Sequence, residues 1–307
     1  MKKLFMFVLL TCYIGIAGSK AQETIDSVRF SLYAQKAVSA QSAACYGNYL
    51  IFVSRQVSRM TLYNLRSKKI LYRLKLEPKL EMRGKTDIYH ANNSSFGRKK
   101  YSESDPFPLL YVSHRENNAN RGVLDVYRIH PFRCNGKKDY DSLAVEQVQT
   151  IYYPVMTDEN AMGSPWTAID PENDYMYTYS RNNRSKAPNR RICRLSKFHI
   201  PTIKTSLSPV MLEDSDILKS NDLGYNAGLS QGACIYHGLM YIAQGVPQRN
   251  GKVYLRVVDL ENGKLIRTYN LHASGFDEEP EGCFIYDGKL MVATVRKNIY
   301  QIEIPLE

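Results

Sequence analysis

The chain has 307 residues with a formal net charge of +11, and 44% of its residues are hydrophobic. A chain of this length can bury a core without a disulfide framework, which excludes the small disulfide-stapled class. The positive charge favours anionic partners, but the lysines and arginines are spread along the chain instead of forming blocks, as on a solvated basic surface.

The first 21 residues have the three-part layout of a secretory signal peptide. Lys2 and Lys3 precede an apolar run at residues 4–16, and a stretch of small residues ends at Ala21. The run is too short to span a bilayer, and it lacks the polar face of an amphipathic helix. We expect export to the periplasm or the extracellular space, which argues against nucleic acid as a partner. The mature domain, residues 22–307, has no expected transmembrane segment and loses three lysines, which lowers the net charge to +8.

The cysteines do not indicate a metal site. Cys12 lies in the expected signal peptide, and Thr11 stands before it where lipidation requires a small Gly or Ala, so we do not expect a lipid anchor. An odd number of cysteines remains in the mature chain, and no two of them have the close spacing of a zinc-binding pair. These five are Cys45, Cys134, Cys193, Cys234 and Cys283. We expect them to be small buried packing residues.

Internal repeats indicate a β-propeller. The segment QGACIYHGLMYI at 231–242 matches EGCFIYDGKLMV at 281–292, and QSAACYGNYLIFV at 41–53 is a third copy. Weaker copies lie at 164–178 and, around an insertion, at 93–113. Each copy predicts two short strands joined by a tight turn, and further β-rich runs follow it. Repeats of this length with four short strands are typical of propeller blades.

The repeat spacing predicts five blades, with six as the alternative. The units open near Gln41, His90, Gly163, Ser230 and Glu279. The two long intervals carry either loop insertions or part of a sixth blade. The last unit has only three strands, and a β-strand at residues 27–33 can supply the fourth. We expect this strand to close the ring, because an open ring would leave an exposed edge.

The blade pattern and the Pro280-Glu-Gly282 segment that leads into a strand resemble the TolB-like and related secreted bacterial propellers. The resemblance covers nearly the whole mature chain and depends on blade pattern, not on a signature motif. It implies a propeller fold and export. The group is usually described as six-bladed, which favours the alternative count, and many of its members have no known activity.

The loops that join the second strand of each blade to the third predict an anion-binding face. In a propeller these loops surround the channel mouth, together with the loops before each first strand. Each blade contributes one arginine there, namely Arg55, Arg115, Arg181, Arg249 and Arg296. A ring of guanidinium groups would bind carboxylate, sulfate or phosphate through forked donors. The alternative is five solvated turn arginines.

The loops before the first strands add polar and aromatic candidates. Asn92, Trp166 and Gln231 are the expected ligand-binding residues, a mixture typical of saccharide or peptide sites, although turns favour the same residue types. If the protein is an enzyme, His90 and His114 are the first candidates for a general base. We expect a binding or scaffold propeller that recognises an acidic glycan, peptide or protein.

A channel metal would support a second function, that of a metal-dependent hydrolase or lyase of the lactonase type. Carboxylates and amides from several blades can converge on a hard cation such as Ca²⁺. The candidate ligands are Glu281, Asn92, Asn226 and Asp277. Against this, residues 276–281 form an acidic run that would be solvated in most loops. A structural module that only docks a partner is the third class.

Overall fold

The computed structural model describes most of the expected mature domain. The described residues are 25–35, 40–54, 59–75, 90–115, 121–134, 137–157, 159–163, 165–180, 192–204, 208–226, 230–250 and 252–306. Within them the regular structure is β-strand, apart from one helical turn at Pro247–Asn250 and one 3-10 turn at Asp214–Asp216. The predicted all-β class is therefore confirmed. No helix in this part of the chain is long and apolar enough to cross a membrane. The expected signal peptide lies outside the described residues and stays a prediction.

The strands form five sheets, each built on four antiparallel strands. Two strands precede the first complete blade, β1 (Ile25–Asp26) and β2 (Arg29–Gln35). Blade 1 contains β3 (Ser42–Tyr46), β4 (Tyr49–Val53), β5 (Arg59–Asn64) and β6 (Lys69–Lys75). Blade 2 contains β7 (His90–Phe96), β8 (Leu110–Arg115), β9 (Val123–Cys134) and β10 (Lys137–Tyr152). Blade 3 contains β11 (Trp166–Asp170), β12 (Tyr175–Ser180) and β13 (Ile192–His199).

The remaining strands complete the ring. The short strand β14 (Val210–Met211) pairs in parallel with β10, and β15 (Lys219–Asn226) is the fourth strand of blade 3. Blade 4 contains β16 (Ser230–Tyr236), β17 (Leu239–Gly245), β18 (Val253–Asp259) and β19 (Lys264–Asn270). Blade 5 contains β20 (Pro280–Tyr286), β21 (Lys289–Thr294) and β22 (Asn298–Glu303).

The ring closes as the sequence predicts. Strand β2 pairs antiparallel with β22, which places Phe30 opposite Ile302 and gives blade 5 its fourth strand. Strand β1 pairs in parallel with the outer edge of blade 4. The innermost strands β3, β7, β11, β16 and β20 each contact the next one in this order, and β20 contacts β3. Five blades are confirmed, and the six-blade alternative that the TolB-like resemblance favours is wrong. The two long intervals between repeat units come from the insertion before β8, the long strands β9 and β10, and the segment around β14.

The hydrophobic core consists of layers between neighbouring blades. Residues 50–53 illustrate this arrangement. Successive side chains of this strand point to opposite faces of the blade, yet all four are buried. Ile51 and Val53 face blade 2, whereas Leu50 and Phe52 face blade 5. A strand that is buried on both faces needs a continuous apolar run. The five interblade layers follow from this pattern.

The innermost strands approach each other very closely near the axis. A Cβ atom added at Gly232 would lie 2.5 Å from the Cα atom of Gly282, and one added at Gly282 would lie 2.7 Å from the Cβ atom of Ala43. Side chains cannot fit at these positions, so glycine is required where the three strands meet. The small residues of the repeat thus permit a ring of only five blades.

Candidate functional site

The side chain of Asn93 closes the axis of the ring. Its Nδ2 atom donates to the carbonyl oxygens of Thr167 (2.7 Å) and Ala233 (3.1 Å), and its Oδ1 atom accepts from the Ala233 N–H at 3.1 Å. These residues lie on β7, β11 and β16, and β7 and β16 are not neighbours in the ring. The Asn93 side chain is fully buried. Asn93 therefore forms a floor across the axis, and we call the loop-bearing end of the innermost strands above it the mouth.

β-Bulges shape the wall of the mouth. The pairing of β7 with β8 skips Asn92, and the pairing of β20 with β21 skips Glu281. In β16 the extra residue lies between Ser230 and Ala233, in the segment that begins with Gln231. A bulge leaves its extra residue out of the ladder and re-aims the side chain. Three sequence-predicted candidates thus occupy equivalent irregularities at the same end of three innermost strands.

Two carboxylate–carboxamide pairs connect blade 5 to its neighbours at the mouth. Gln41 donates from Nε2 to Oε1 of Glu281 at 2.9 Å, which joins blade 1 to blade 5. Gln231 donates from Nε2 to Oε1 of Glu279 at 2.7 Å, which joins blade 4 to blade 5. Glu281 is buried, whereas Glu279, Gln41 and Gln231 are half-buried. Glu279 therefore carries the more accessible carboxylate of the two pairs.

Blade 3 adds an aromatic side to the mouth. Trp166 begins β11 and stacks on Tyr179 with ring centroids 6.0 Å apart. The Tyr179 hydroxyl donates to the Gln231 carbonyl oxygen at 3.3 Å. Burial raises the pKa of Tyr179 well above its ordinary value, so this hydroxyl stays a neutral donor at physiological pH. A half-buried indole thus lies beside the polar groups of blade 4.

A layer of polar side chains lies beneath the rim, between neighbouring blades. At the end of each second strand a polar residue faces the preceding blade, a repeat that was not predicted from the sequence. The five residues are Ser54, His114, Ser180, Gln244 and Thr294. All but the first are buried. The Ser180 hydroxyl donates to the Ala161 carbonyl oxygen at 3.0 Å and the Thr294 hydroxyl donates to Glu278, so these two residues tie rim loops to the blades.

In blade 5 the layer residue Thr294 helps to anchor the acidic segment at residues 276–281, which lies at the mouth. Glu278 is buried and accepts hydrogen bonds from the Thr294 hydroxyl, from Nδ2 of Asn298 at 2.7 Å and from the Tyr300 hydroxyl at 2.7 Å. Burial, reinforced by the bond to Glu278, raises the pKa of Tyr300 to about 12. The Glu278 side chain is thereby anchored, and it sets the position of Glu279, the next residue.

His114 belongs to the buried layer and not to the mouth. Its Nε2 atom lies 2.9 Å from Oδ2 of Asp125, and both side chains are fully buried. The other Asp125 oxygen accepts from Gln147 at 2.9 Å and from Thr150 at 2.8 Å. Strand alternation turns His114 toward blade 1, whereas His90, at the start of β7, is half-buried. Of the two candidate bases, His90 has the more accessible side chain.

The equivalent cluster in blade 4 is centred on Arg256. Its Nε atom donates to Oε1 of Gln244 at 2.9 Å, and its Nη1 atom donates to the Thr268 hydroxyl at 3.0 Å. The guanidinium carbon lies 4.0 Å from the ring centre of Tyr225, a cation–π contact. Tyr225 is the penultimate residue of β15, the outer strand of blade 3. Its pairing with Arg256 stabilises the interface between blades 3 and 4.

The described residues include the backbone of three of the five arginines in the predicted ring. Arg115 ends β8 opposite His90, Arg249 lies in the turn after β17, and Arg296 follows β21, so these backbone positions share one end of their blades. Arg296 is exposed, and its Nη1 atom lies 3.5 Å from Oδ2 of Asp277. Arg55 and Arg181 lie outside the described residues. The ring stays a prediction.

The predicted metal ligands lie at different distances from the axis. Glu281 and Asn92 lie on innermost strands, and Asn92 donates to the Pro165 carbonyl oxygen at 3.4 Å. Asp277 is exposed beside the guanidinium of Arg296. Asn226 ends β15, the outermost strand of blade 3. Among the described residues, no three His, Cys, Asp or Glu side chains converge as a metal site would require.

Comparison with known proteins supports the fold. No protein-family model matches the chain, and no curated protein matches it. The solved structure of glutaminyl cyclase from Myxococcus xanthus is similar, with a TM-score of 0.50 at 10% identity over 91% of this chain and 95% of that chain. A putative oxidoreductase (glucose dehydrogenase) from Thermus thermophilus has a TM-score of 0.45 at 10% identity, over 90% of this chain and 100% of its own. At 10% identity the likeness to the glutaminyl cyclase supports the fold alone, and the TolB-like family itself is not confirmed.

Proposed function

We propose that the protein is a binding propeller for peptides that carry acidic side chains, and that the peptide occupies the mouth. The observation that carries this proposal is the set of three bulges that turn Asn92, Gln231 and Glu281 out of regular pairing above a closed floor. Ligand sites typically combine apolar and aromatic side chains with a few convergent polar groups on a rigid scaffold.

The inner wall of the mouth favours a ligand with nitrogen donors. The carboxylates of Glu279 and Glu281 and the carboxamide oxygens of Gln41 and Gln231 are hydrogen-bond acceptors. A free peptide amino terminus is a cation that would pair with Glu279, the more accessible carboxylate. Trp166 would cover an apolar part of the same peptide.

The outer rim favours acidic groups on the same ligand. The predicted arginines would surround the acidic inner wall, and the net charge of the expected mature chain is +8. Arginine binds carboxylates through two parallel bonds. A peptide offers an amino terminus and acidic side chains together, which an acidic glycan does not. Export, if the signal peptide is used, would place this activity in the periplasm or outside the cell.

Calorimetric titration with three probes tests the proposal. The probes are Ala-Glu-Glu-Ala, its N-acetylated form and an oligogalacturonate of similar charge. We expect the free tetrapeptide to bind and Glu279→Gln to weaken it about tenfold, the effect of losing roughly one charge pair. Glu261→Gln, in an exposed turn at the opposite end of blade 4, is the matched control and should change nothing.

Three results would reject this proposal. Equal binding of the free and acetylated peptides would exclude recognition of the amino terminus. Preference for oligogalacturonate would identify a glycan-binding protein. Unchanged peptide affinity after Arg55, Arg115 and Arg181 are replaced together by Ala would exclude the arginine ring.

A second candidate is the cyclisation of an amino-terminal glutamine, favoured by the half-buried Glu279 carboxylate at the mouth and by the likeness to a glutaminyl cyclase. The amine would attack the side-chain carbonyl carbon and release ammonia. Glu279 would take the proton from the amine and return it to the leaving nitrogen. Ammonia release from Gln-Glu-Glu-Ala, abolished by Glu279→Gln, would support this candidate, whereas binding without ammonia release would exclude it.

The metal-dependent hydrolase or lyase remains a separate prediction. Thermal unfolding with and without Ca²⁺ tests it, because a ligand specific to the folded state raises the melting temperature. Stabilisation by Ca²⁺ that is lost in Glu281→Gln would support a channel metal. Equal stabilisation of both proteins, or none, would contradict it.

A further inference from the structure

Two cysteines meet between blades 4 and 5. The Sγ atoms of Cys234, on β16, and Cys283, on β20, are 3.6 Å apart. Both strands are innermost strands, and they are neighbours in the ring. Just above the thiols, Gly232 and Gly282 bring the two backbones into direct contact. The backbones are thus as close as a crosslink between them requires.

An offset of one residue in the repeat explains why the thiols face each other. Blade 4 reads Gly-Ala-Cys from Gly232, whereas blade 5 reads Gly-Cys-Phe from Gly282. Successive side chains of a strand point to opposite faces. Cys234 therefore faces blade 5 and Cys283 faces blade 4, and both belong to the same interblade layer. Cysteines at equivalent positions would both face the same way around the ring and could not meet.

We propose that Cys234 and Cys283 form a redox-active pair whose oxidised form is a disulfide that joins blades 4 and 5 at the axis. A disulfide requires the two Sγ atoms to move together by about 1.5 Å, a distance that small rotations about the Cα–Cβ bonds provide. Cys234 is half-buried, so a small oxidant can reach it, whereas Cys283 is buried. The pair gives these two thiols a role beyond packing.

A low-molecular-weight disulfide can supply the oxidising equivalents. The Cys234 thiolate attacks one sulfur of oxidised glutathione, forms a mixed disulfide and releases one glutathione thiolate. Cys283, after losing its proton, attacks Sγ of Cys234 and releases the second glutathione. Two protein thiols lose two protons and two electrons, and one glutathione disulfide is reduced to two thiols. Burial raises the pKa of the Cys234 thiol well above its ordinary value, so the reaction should accelerate as the pH rises.

The crosslink would act on the mouth. Cys234 lies three residues after Gln231, and Cys283 lies two residues after Glu281. Fixing β16 to β20 at this level fixes the separation of those two mouth residues. The disulfide closes a loop of 49 residues, which raises the melting temperature by on the order of 5 °C on chain-entropy grounds.

Peptide mapping of the intact protein is the direct test. The folded chain is incubated with oxidised glutathione at pH 8 and pH 9, quenched with acid, alkylated and digested with trypsin without reduction. Trypsin cuts after Lys219, Arg249, Arg267 and Lys289, so Cys234 lies in peptide 220–249 and Cys283 in peptide 268–289. We expect these two peptides to be joined. Free thiols in both, stable glutathione adducts, or linkage of either to another cysteine would overturn the proposal.

Melting temperatures supply an independent readout. The oxidised wild type should melt higher than the reduced protein, and Cys234→Ser should lose this difference. Cys45→Ser is the matched control, because it removes another half-buried thiol of an innermost strand and should keep the difference. A difference that persists in Cys234→Ser would contradict the proposal. If that variant does not fold, the peptide map of the wild type decides alone.

Discussion

Replacing Asn93 by alanine removes the side chain that crosses the axis of the ring. The change deletes three hydrogen bonds of 2.7 to 3.1 Å and leaves the Thr167 carbonyl, the Ala233 carbonyl and the Ala233 N–H without this partner. A buried polar group without a partner costs about 1–3 kcal/mol. We therefore expect the free energy of unfolding to fall by about 3–5 kcal/mol, at the upper end for single substitutions.

Urea unfolding followed by the fluorescence of Trp166, the single tryptophan, measures this loss. Asn173→Ala is the matched control, because Asn173 is exposed and its side chain donates to Asp170 within the turn after β11. We expect the control to lose less than about 1 kcal/mol, with equal denaturant slopes in all three proteins. A loss in Asn93→Ala no larger than in the control would refute the closed floor of the mouth.

Three further predictions follow from particular contacts. Gly232→Ala would place a methyl carbon 2.5 Å from the backbone of the next blade, so its free energy of unfolding should be at least about 2 kcal/mol below that of the wild type; a melting temperature equal to that of the wild type would contradict this. Because the pKa of Tyr300 is about 12 when folded and 10 when unfolded, unfolding releases its proton between those values, and stability should fall as pH rises from 10 to 12. Tyr300→Phe should reduce that slope in pH-dependent denaturation, and an unchanged slope would show that Tyr300 does not contribute. Arg128→Lys should lower the free energy of unfolding by about 1–3 kcal/mol, because lysine cannot make the forked hydrogen bonds of 2.9–3.1 Å to buried Asp105. Urea unfolding measures this loss, and an unchanged free energy would show that these bonds do not stabilise the fold.

The sequence predicts the architecture well because blade repeats are local signals. The hairpin at residues 41–53 carries its own turn and its own apolar run, and β3 and β4 form there as predicted. Closure by residues 27–33 also follows from the sequence, because a three-stranded last blade needs a partner. The blade count was ambiguous only because insertions lengthen units 2 and 3, and no local signal separates an insertion from a missing blade.

The candidate site was predicted less completely, because its geometry depends on contacts across the ring. Gln231 and Glu281 were found from their positions before the repeated strands, and each precedes a glycine that allows the bulge. The role of Asn93 across the axis was not predicted, since its partner Ala233 is 140 residues away. The burial of His114 follows from strand alternation, which the sequence could have shown. The contact between Cys234 and Cys283 can be predicted only when their two repeats are aligned at Gly232 and Gly282 and assigned to neighbouring blades.

The central claim is that the mouth binds a peptide through its bulged residues. A crystal structure of the protein with Ala-Glu-Glu-Ala tests it most directly. We predict that the amino terminus of the peptide lies within hydrogen-bond distance of Glu279, beside Gln231 and Trp166. A peptide bound on the opposite face of the ring, or a mouth that stays empty at saturating peptide, would contradict the account.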